Sequence, residues 1–145
     1  MTYLVNKYII MTINKKDKEL GYYNMNFWIY LILIELIPIA LFVIGGIYET
    51  KSTNYPDTKI GYKTEYSIKD KFSWEYSNKV AAKIYGTVGT ILFIINAIVL
   101  LIIGEKSFNF LLLVNSFMVI LDKLIIDKLL KKKFEKRWYD KNNWQ

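Results

Sequence analysis

Cysteine and histidine are absent from the 145-residue sequence, and only two residues are proline. The chain therefore lacks thiol and imidazole groups, which excludes disulfides, zinc sites of the usual ligand types and catalysis by Cys or His. The length is that of a single domain. Because no acid, base and nucleophile can be paired elsewhere in the sequence, we expect no enzymatic activity, no cofactor and no metal site.

Apolar and charged residues are segregated along the chain. Charged residues make up 23% of it and the net charge is +7, yet the mean hydropathy is positive, at +0.17. The apolar residues form three segments, 27–47, 84–103 and 108–126. As helices, segments of this length cross a hydrocarbon core of about 30 Å. The sequence thus predicts an all-α polytopic membrane protein with three transmembrane helices.

The distribution of Lys and Arg predicts the orientation. Fifteen of them lie in 48–83 and 122–145, against five in 1–26 and 104–107. Cytoplasmic segments carry the excess of basic residues, so we expect the 48–83 loop and a basic C-terminal tail in the cytoplasm. Segment 1–26 fits least well because it places four lysines outside, and a translation start at Met25 would remove them. We accordingly divide the chain into an N-terminal segment, 1–26, and a membrane domain, 27–145.

The basic residues border the membrane segments, which favours the lipid bilayer over nucleic acid as their partner. An isoelectric point near 9.4 is also typical of nucleic-acid binding. However, topology signals and attraction to anionic headgroups, about 1 kcal/mol per residue, already account for these cations. The run from Lys131 to Arg137 could in addition dock an acidic cytoplasmic protein. We expect no nucleic-acid partner.

The loop between the first two spans ends in a predicted amphipathic helix. Gly61 permits a turn, and Ser73 is the expected N-cap of a helix that starts near Trp74 and runs into the second span. A ridge of residues four apart continues along this helix. It comprises Trp74, Asn78, Ala82, Gly86 and Thr90. These residues either only anchor and pack the helix or carry a function at the cytoplasmic interface.

Residues of this loop and of the second span resemble the signature of the SdpI/YfhL family of bacterial membrane proteins. The family pattern reads roughly G-x-R-T, a spacer, W, N-R and G-K before a span rich in small residues. The matching positions are Gly61, Lys63, Thr64, Trp74, Asn78, Lys79, Lys83 and Gly86. Lysines replace the two arginines of the pattern, Ala82 replaces a glycine, and Glu65 stands where proline is common. A lysine lacks the guanidinium fork that makes bidentate contacts.

The resemblance implies a multi-pass protein of the bacterial plasma membrane that gives immunity against a secreted, membrane-active peptide toxin. In the best-known member, immunity is coupled to capture of a transcriptional repressor at the membrane, so the implied partners are a peptide toxin and a cytoplasmic regulator. Two alternatives remain open from the residues alone. The chain could be a small transporter-type subunit that forms a homo-oligomer around Glu35, or a structural membrane subunit with no ligand of its own.

Three polar residues interrupt the spans at a common depth. Glu35, Asn96 and Asn115 each lie seven or eight residues from the outer end of their segment, or about 10 to 12 Å at 1.5 Å per residue. Because a carboxylate is costly there, we expect Glu35 to be protonated and hydrogen-bonded by the two amides. This intramembrane polar cluster is either a link between helices or a proton-coupled or peptide-binding site. Asp122 and Asp127, each followed by Lys, are expected at headgroup level.

Overall fold

A computed structural model describes the backbone of residues 2–142 and the side chains of residues 11, 12 and 27–137. Helix α1 comprises Thr2–Lys51, α2 comprises Lys71–Ile103, and α3 comprises Phe108–Asn142, with a short 3-10 helix, Glu105–Ser107, between α2 and α3. No strand is present in the described backbone. The predicted all-α class is confirmed.

Each long helix contains a stretch that is long and apolar enough to cross a membrane. These stretches are Phe27–Lys51, Lys71–Ile103 and Glu105–Arg137, and they include the three segments predicted from the sequence. Apolar side chains cover much of the outside of the bundle; Leu101, Ile102 and Leu113 are at least 70% exposed. Such a surface suits contact with lipid. The fold is therefore that of a membrane protein with three spanning helices.

Two predicted boundaries, the start of the chain and the start of α2, have different outcomes. The backbone of α1 is continuous through residues 26 and 27, and the proposed start at Met25 stays a prediction. The side chains of residues 1–10, 13–26 and 138–145 lie outside the described residues. The predicted N-cap at Ser73 is wrong: α2 begins at Lys71, and the Asp70 carboxylate accepts a 2.8 Å hydrogen bond from the Ser73 amide.

Small residues allow α1 and α2 to pack closely. A Cβ atom at Gly89 would lie 2.9 Å from the Pro38 carbonyl oxygen, and one at Gly45 would lie 3.0 Å from the Ala82 carbonyl oxygen. Backbone approach of this kind is how membrane helices gain contact where lipid offers no hydrophobic driving force. Helix α3 contacts both of the others and completes the bundle.

Two apolar clusters hold the bundle at its two ends. At one end the cluster contains Ile34, Leu100 and Leu111, next to the turn in which Gly104 adopts φ 77°. The other cluster includes Tyr62, Tyr85 and the α3 residues Ile126, Leu130 and Phe134. We call this second end, with the 52–70 loop and the C-terminal half of α3, the lysine-rich end.

Candidate functional site

Trp74 joins the end of α1 to the start of α2. Its indole is fully buried, and its Nε1 donates a 3.1 Å hydrogen bond to the carbonyl oxygen of Lys51, the last residue of α1. The last carbonyls of a helix have no partner within the helix. Trp74 therefore satisfies one of these groups and fixes where the loop begins.

Asn78 and Gly61 fix where the loop returns. The Asn78 Oδ1 accepts a 2.8 Å hydrogen bond from the Tyr62 amide, while its Nδ2 donates to the Trp74 carbonyl oxygen at 2.9 Å. Gly61 has φ 150°, and a Cβ there would lie 2.5 Å from Asn78 Oδ1 and 2.6 Å from the Trp74 ring. Only glycine fits this position. We call the contact of Gly61, Trp74 and Asn78 the loop anchor.

Thr64 closes a turn with a residue that the sequence analysis missed. The Ser67 hydroxyl accepts from the Thr64 amide at 2.7 Å, and the Thr64 hydroxyl accepts from the Ser67 amide at 3.1 Å. Ser67 is fully buried. Two hydroxyl residues three positions apart in a loop are the signal that could have indicated this turn.

The remaining motif positions do not join the loop anchor. The side chains of Lys63, Lys79 and Lys83 are exposed, and within the described residues none of them forms an ion pair. Gly86 lies beside α1, where its backbone nitrogen would be 3.1 Å from a Cβ at Gly45. The motif thus separates into a buried contact that shapes the loop and three lysines that are free to meet a partner.

A tyrosine and aspartate cluster lies beside the loop anchor. The Tyr62 hydroxyl donates a 2.6 Å hydrogen bond to Asp127 Oδ1 on α3. The ring of Tyr62 packs against those of Tyr48 and Tyr85, with centroids 6.0 and 6.5 Å away. Burial of the Tyr62 hydroxyl, then its hydrogen bond to Asp127, raises the pKa of Tyr62 above its ordinary value. No pattern in the sequence indicates this role of Tyr62.

Asp122 contradicts the expectation of headgroup exposure. It is 1% exposed, and its Oδ2 has no hydrogen-bond partner among the described residues. It lies one turn before Ile126, which belongs to the apolar cluster at the lysine-rich end. The pattern of an Asp followed by Lys suggested a solvated position, but the helix turns the aspartate inward and leaves Lys123 exposed.

Asn96 and Asn115 lie together inside the bundle. Asn115 Nδ2 donates to Asn96 Oδ1 at 3.2 Å, and Asn96 Nδ2 donates to Asn115 Oδ1 at 3.4 Å. A second bond from Asn115 Nδ2 reaches the Leu111 carbonyl oxygen at 2.9 Å. Two amides satisfy each other because each has both a donor and an acceptor.

Glu35 is buried at the same level but does not receive the expected hydrogen bonds. It is 5% exposed, and neither carboxylate oxygen has a hydrogen-bond partner of regular geometry. The Asn96 amide is near enough to interact with the carboxylate, and Asn96 and Asn115 also bond to each other. The three residues therefore lie together as a polar cluster, but no regular hydrogen bond from Asn115 to Glu35 is present among the described residues.

A groove opens on the outer surface of α1 and α2, one turn from Glu35. Its volume is about 250 Å³. It exists because Gly89 brings no side chain to the helix contact. The Thr90 hydroxyl is bonded to the Gly86 carbonyl oxygen at 2.8 Å, so the lining presents apolar groups. The lining residues are Pro38, Ile39, Phe42, Gly89, Thr90 and Phe93.

Comparison of the chain with protein-family models, curated proteins and solved structures gave no match. In the described part of the chain, no group of three or more acidic side chains is placed to hold a metal ion. The site is thus defined by its own geometry: a loop anchor at the lysine-rich end, a pair of buried carboxyl groups, and an apolar groove.

Proposed function

We propose that this protein is an immunity protein of the bacterial plasma membrane that protects against a secreted, membrane-active peptide. Support comes first from the SdpI/YfhL-like motif. Its three most distinctive residues, Gly61, Trp74 and Asn78, make direct contact with one another. A shared local structure is a physical reason for such a motif to recur on this fold.

The observation that carries the proposal is the groove beside Glu35. An apolar peptide that has entered the lipid can place a side chain between Ile39 and Phe93 without crossing the bundle. The groove volume of about 250 Å³ suits one or two large side chains. Glu35 lies less than one helical turn from Pro38, but its carboxylate oxygens are buried inside the bundle, so the groove itself offers the peptide an apolar contact.

The proposal includes a signalling role for the lysine-rich end, which we place in the cytoplasm. Lys63, Lys79 and Lys83 are exposed and free of ion pairs within the described residues. Lys63 and Lys79 are within two residues of Gly61 and Asn78 in the sequence, so a rearrangement of the loop anchor would move them. A regulator with an acidic surface is the partner that this charge favours.

A transporter-type subunit is the second candidate, and a specific observation favours it. Glu35 and Asp122 are both buried within apolar stretches, and each has at least one carboxylate oxygen without a regular hydrogen bond. Ionisable groups of this kind in membrane helices commonly mark proton or ion pathways. A homo-oligomer around Glu35 belongs to this alternative.

The test is survival of a toxin-sensitive host that expresses the chain, challenged with a panel of hydrophobic membrane-active peptides. Wild type should protect against at least one peptide. Ile39→Trp fills the groove and should abolish protection. Ile91→Trp is the matched control: Ile39 and Ile91 are 46% and 50% exposed, and each lies 12 residues, or about 18 Å, from the outer end of its apolar segment, Phe27 or Ile103. Ile91 does not line the groove.

The outcome separates the two candidates. Protection that is lost in Ile39→Trp and kept in Ile91→Trp supports immunity through the groove. Killing of the wild-type strain by every peptide contradicts immunity. If Glu35→Gln alters proton or cation uptake into vesicles that contain the purified protein, while survival of the host is unaffected, the protein is a transporter-type subunit and not an immunity protein.

A further inference from the structure

A basic cleft lies between the start of α2 and the C-terminal part of α3. Its volume is about 370 Å³. The residues that line it are Phe72, Lys133, Lys136 and Arg137. It is separate from the apolar groove and from the loop anchor, and the proposed immunity function does not use it.

Arg137 is held in place on one side of the cleft. Its Nη1 lies 3.4 Å from Asp70 Oδ2 and donates to the Ser73 hydroxyl at 3.3 Å. The centre of its guanidinium group lies 4.4 Å from the Phe72 ring centroid. A guanidinium has five N–H donors in a planar fork. Three contacts therefore fix its orientation and still leave N–H groups for a ligand.

The two lysines give the cleft an excess of positive charge. Asp70 is the acidic group at this site, and it is paired with Arg137. Lys133 lies 5.6 Å from the Tyr76 ring centroid. Within the described side chains, neither Lys133 nor Lys136 has a carboxylate at ion-pair distance. Two ammonium groups that are unpaired among the described side chains, beside a fixed guanidinium, are suited to the oxygens of a phosphate.

The depth of the cleft is that of lipid headgroups. Lys133 follows Phe108, the first residue of α3, by 25 positions, which is about 37 Å at 1.5 Å per residue. A hydrocarbon core of about 30 Å with its headgroup layers has a total thickness of about 40 to 45 Å. The cations of the cleft thus lie at the level of the lipid headgroups.

We propose that this cleft binds the headgroup of an anionic phospholipid from the adjacent leaflet. The phosphate accepts hydrogen bonds from Lys133 and Lys136, and Arg137 orients it. A soluble phosphate group would satisfy the same cations, but the depth of the cleft brings the phosphates of the adjacent leaflet to it, which is the reason to assign the site to a lipid.

The experiment is native mass spectrometry of the full chain released from detergent, titrated with phosphatidylglycerol or with phosphatidylcholine of the same acyl chains. Lys133→Gln/Lys136→Gln removes the two free cations. Lys128→Gln/Lys132→Gln is the matched control, because it makes the same charge change on exposed residues of α3 outside the cleft. Circular dichroism verifies that each variant is folded.

We expect the cleft variant to weaken phosphatidylglycerol binding by at least about tenfold and the control by less than about threefold. Phosphatidylcholine should bind weakly to all forms, and inorganic phosphate at millimolar concentration should not displace the lipid. Equal weakening in both variants would overturn the proposal, because it would indicate diffuse attraction. Displacement by inorganic phosphate would also overturn it and would identify a site for soluble phosphates.

Discussion

Removal of the Asn78 side chain should release the 52–70 loop from the bundle. In Asn78→Ala the Trp74 carbonyl remains an acceptor within α2, so the loss of that bond costs little. The Tyr62 amide, in contrast, loses its 2.8 Å acceptor at a residue that is only 7% exposed. A buried donor that loses its partner costs about 1 to 3 kcal/mol, a figure that already contains the lost bond.

Hydrogen exchange at the Tyr62 amide measures this effect. A local destabilisation of about 1 to 3 kcal/mol corresponds to roughly 5- to 150-fold faster exchange. Asn54→Ala, in the same loop with an exposed side chain, is the matched control and should leave exchange unchanged. Exchange in proteolytic fragments from the middle of α2 shows whether the whole bundle, and not only the loop, has opened. If Asn78→Ala leaves Tyr62 exchange within about threefold of wild type, contacts other than the loop anchor hold the loop.

Three further predictions concern helix packing, the intramembrane amides and the start of α2. Gly89→Ala should destabilise the bundle by about 1 to 3 kcal/mol in denaturant titrations, because the new Cβ would lie 2.9 Å from the Pro38 carbonyl oxygen. Gly46→Ala is its control: a Cβ there would have no atom within 4 Å, so this variant should be neutral or slightly stabilising. Asn115→Leu should cost about 0.6 to 2 kcal/mol in the same titrations, and an unchanged midpoint would remove the proposed link between α2 and α3. Asp70→Ala should cost about 1 kcal/mol and fray the first turn of α2 in hydrogen exchange, whereas Asp70→Asn should keep the cap.

The Asp70 cap should also depend on pH. Burial alone would raise the pKa of the Asp70 carboxyl, but hydrogen bonds from Ser73 and the charge of Arg137 outweigh it and hold the pKa below its ordinary value. The contribution of a group with a lowered folded-state pKa is complete above its ordinary pKa, about 3.9, and is lost as the pH falls through the folded-state value. The cap should therefore weaken only below about pH 4, and weakening near neutral pH would contradict this assignment.

Sequence patterns were sufficient to predict the parts of the fold that depend on local composition. Three apolar segments of about 20 residues each predict three membrane helices because the bilayer fixes the length. The spacing of four residues likewise placed Trp74 and Asn78 on one ridge of α2; that both are buried was not predicted and is seen only in the structure. The N-cap was predicted three residues late because Asp70 and Ser73 both have capping side chains, and only the backbone geometry decides between them.

The contacts between distant segments could not be predicted from spacing. Tyr62 and Asp127 are 65 residues apart, and nothing local to either residue indicates the other. The amides of Asn96 and Asn115 were expected to serve Glu35, but they lie close enough to satisfy each other, which depends on the relative rotation of α2 and α3. Asp122 was assigned to the headgroups because a charge was assumed to face water. The turn of α3 overrides that assumption.

Occupation of the groove by a peptide is tested most directly by site-specific photo-crosslinking. Benzoylphenylalanine is introduced at Phe93, which lines the groove, or at Phe117, which is 59% exposed on α3 away from it. The cells are then illuminated with the peptide against which the wild-type chain gives protection. We predict a covalent adduct from the Phe93 position and none from the Phe117 position. Equal yields at both positions, or protection without any adduct at Phe93, would contradict binding in the groove.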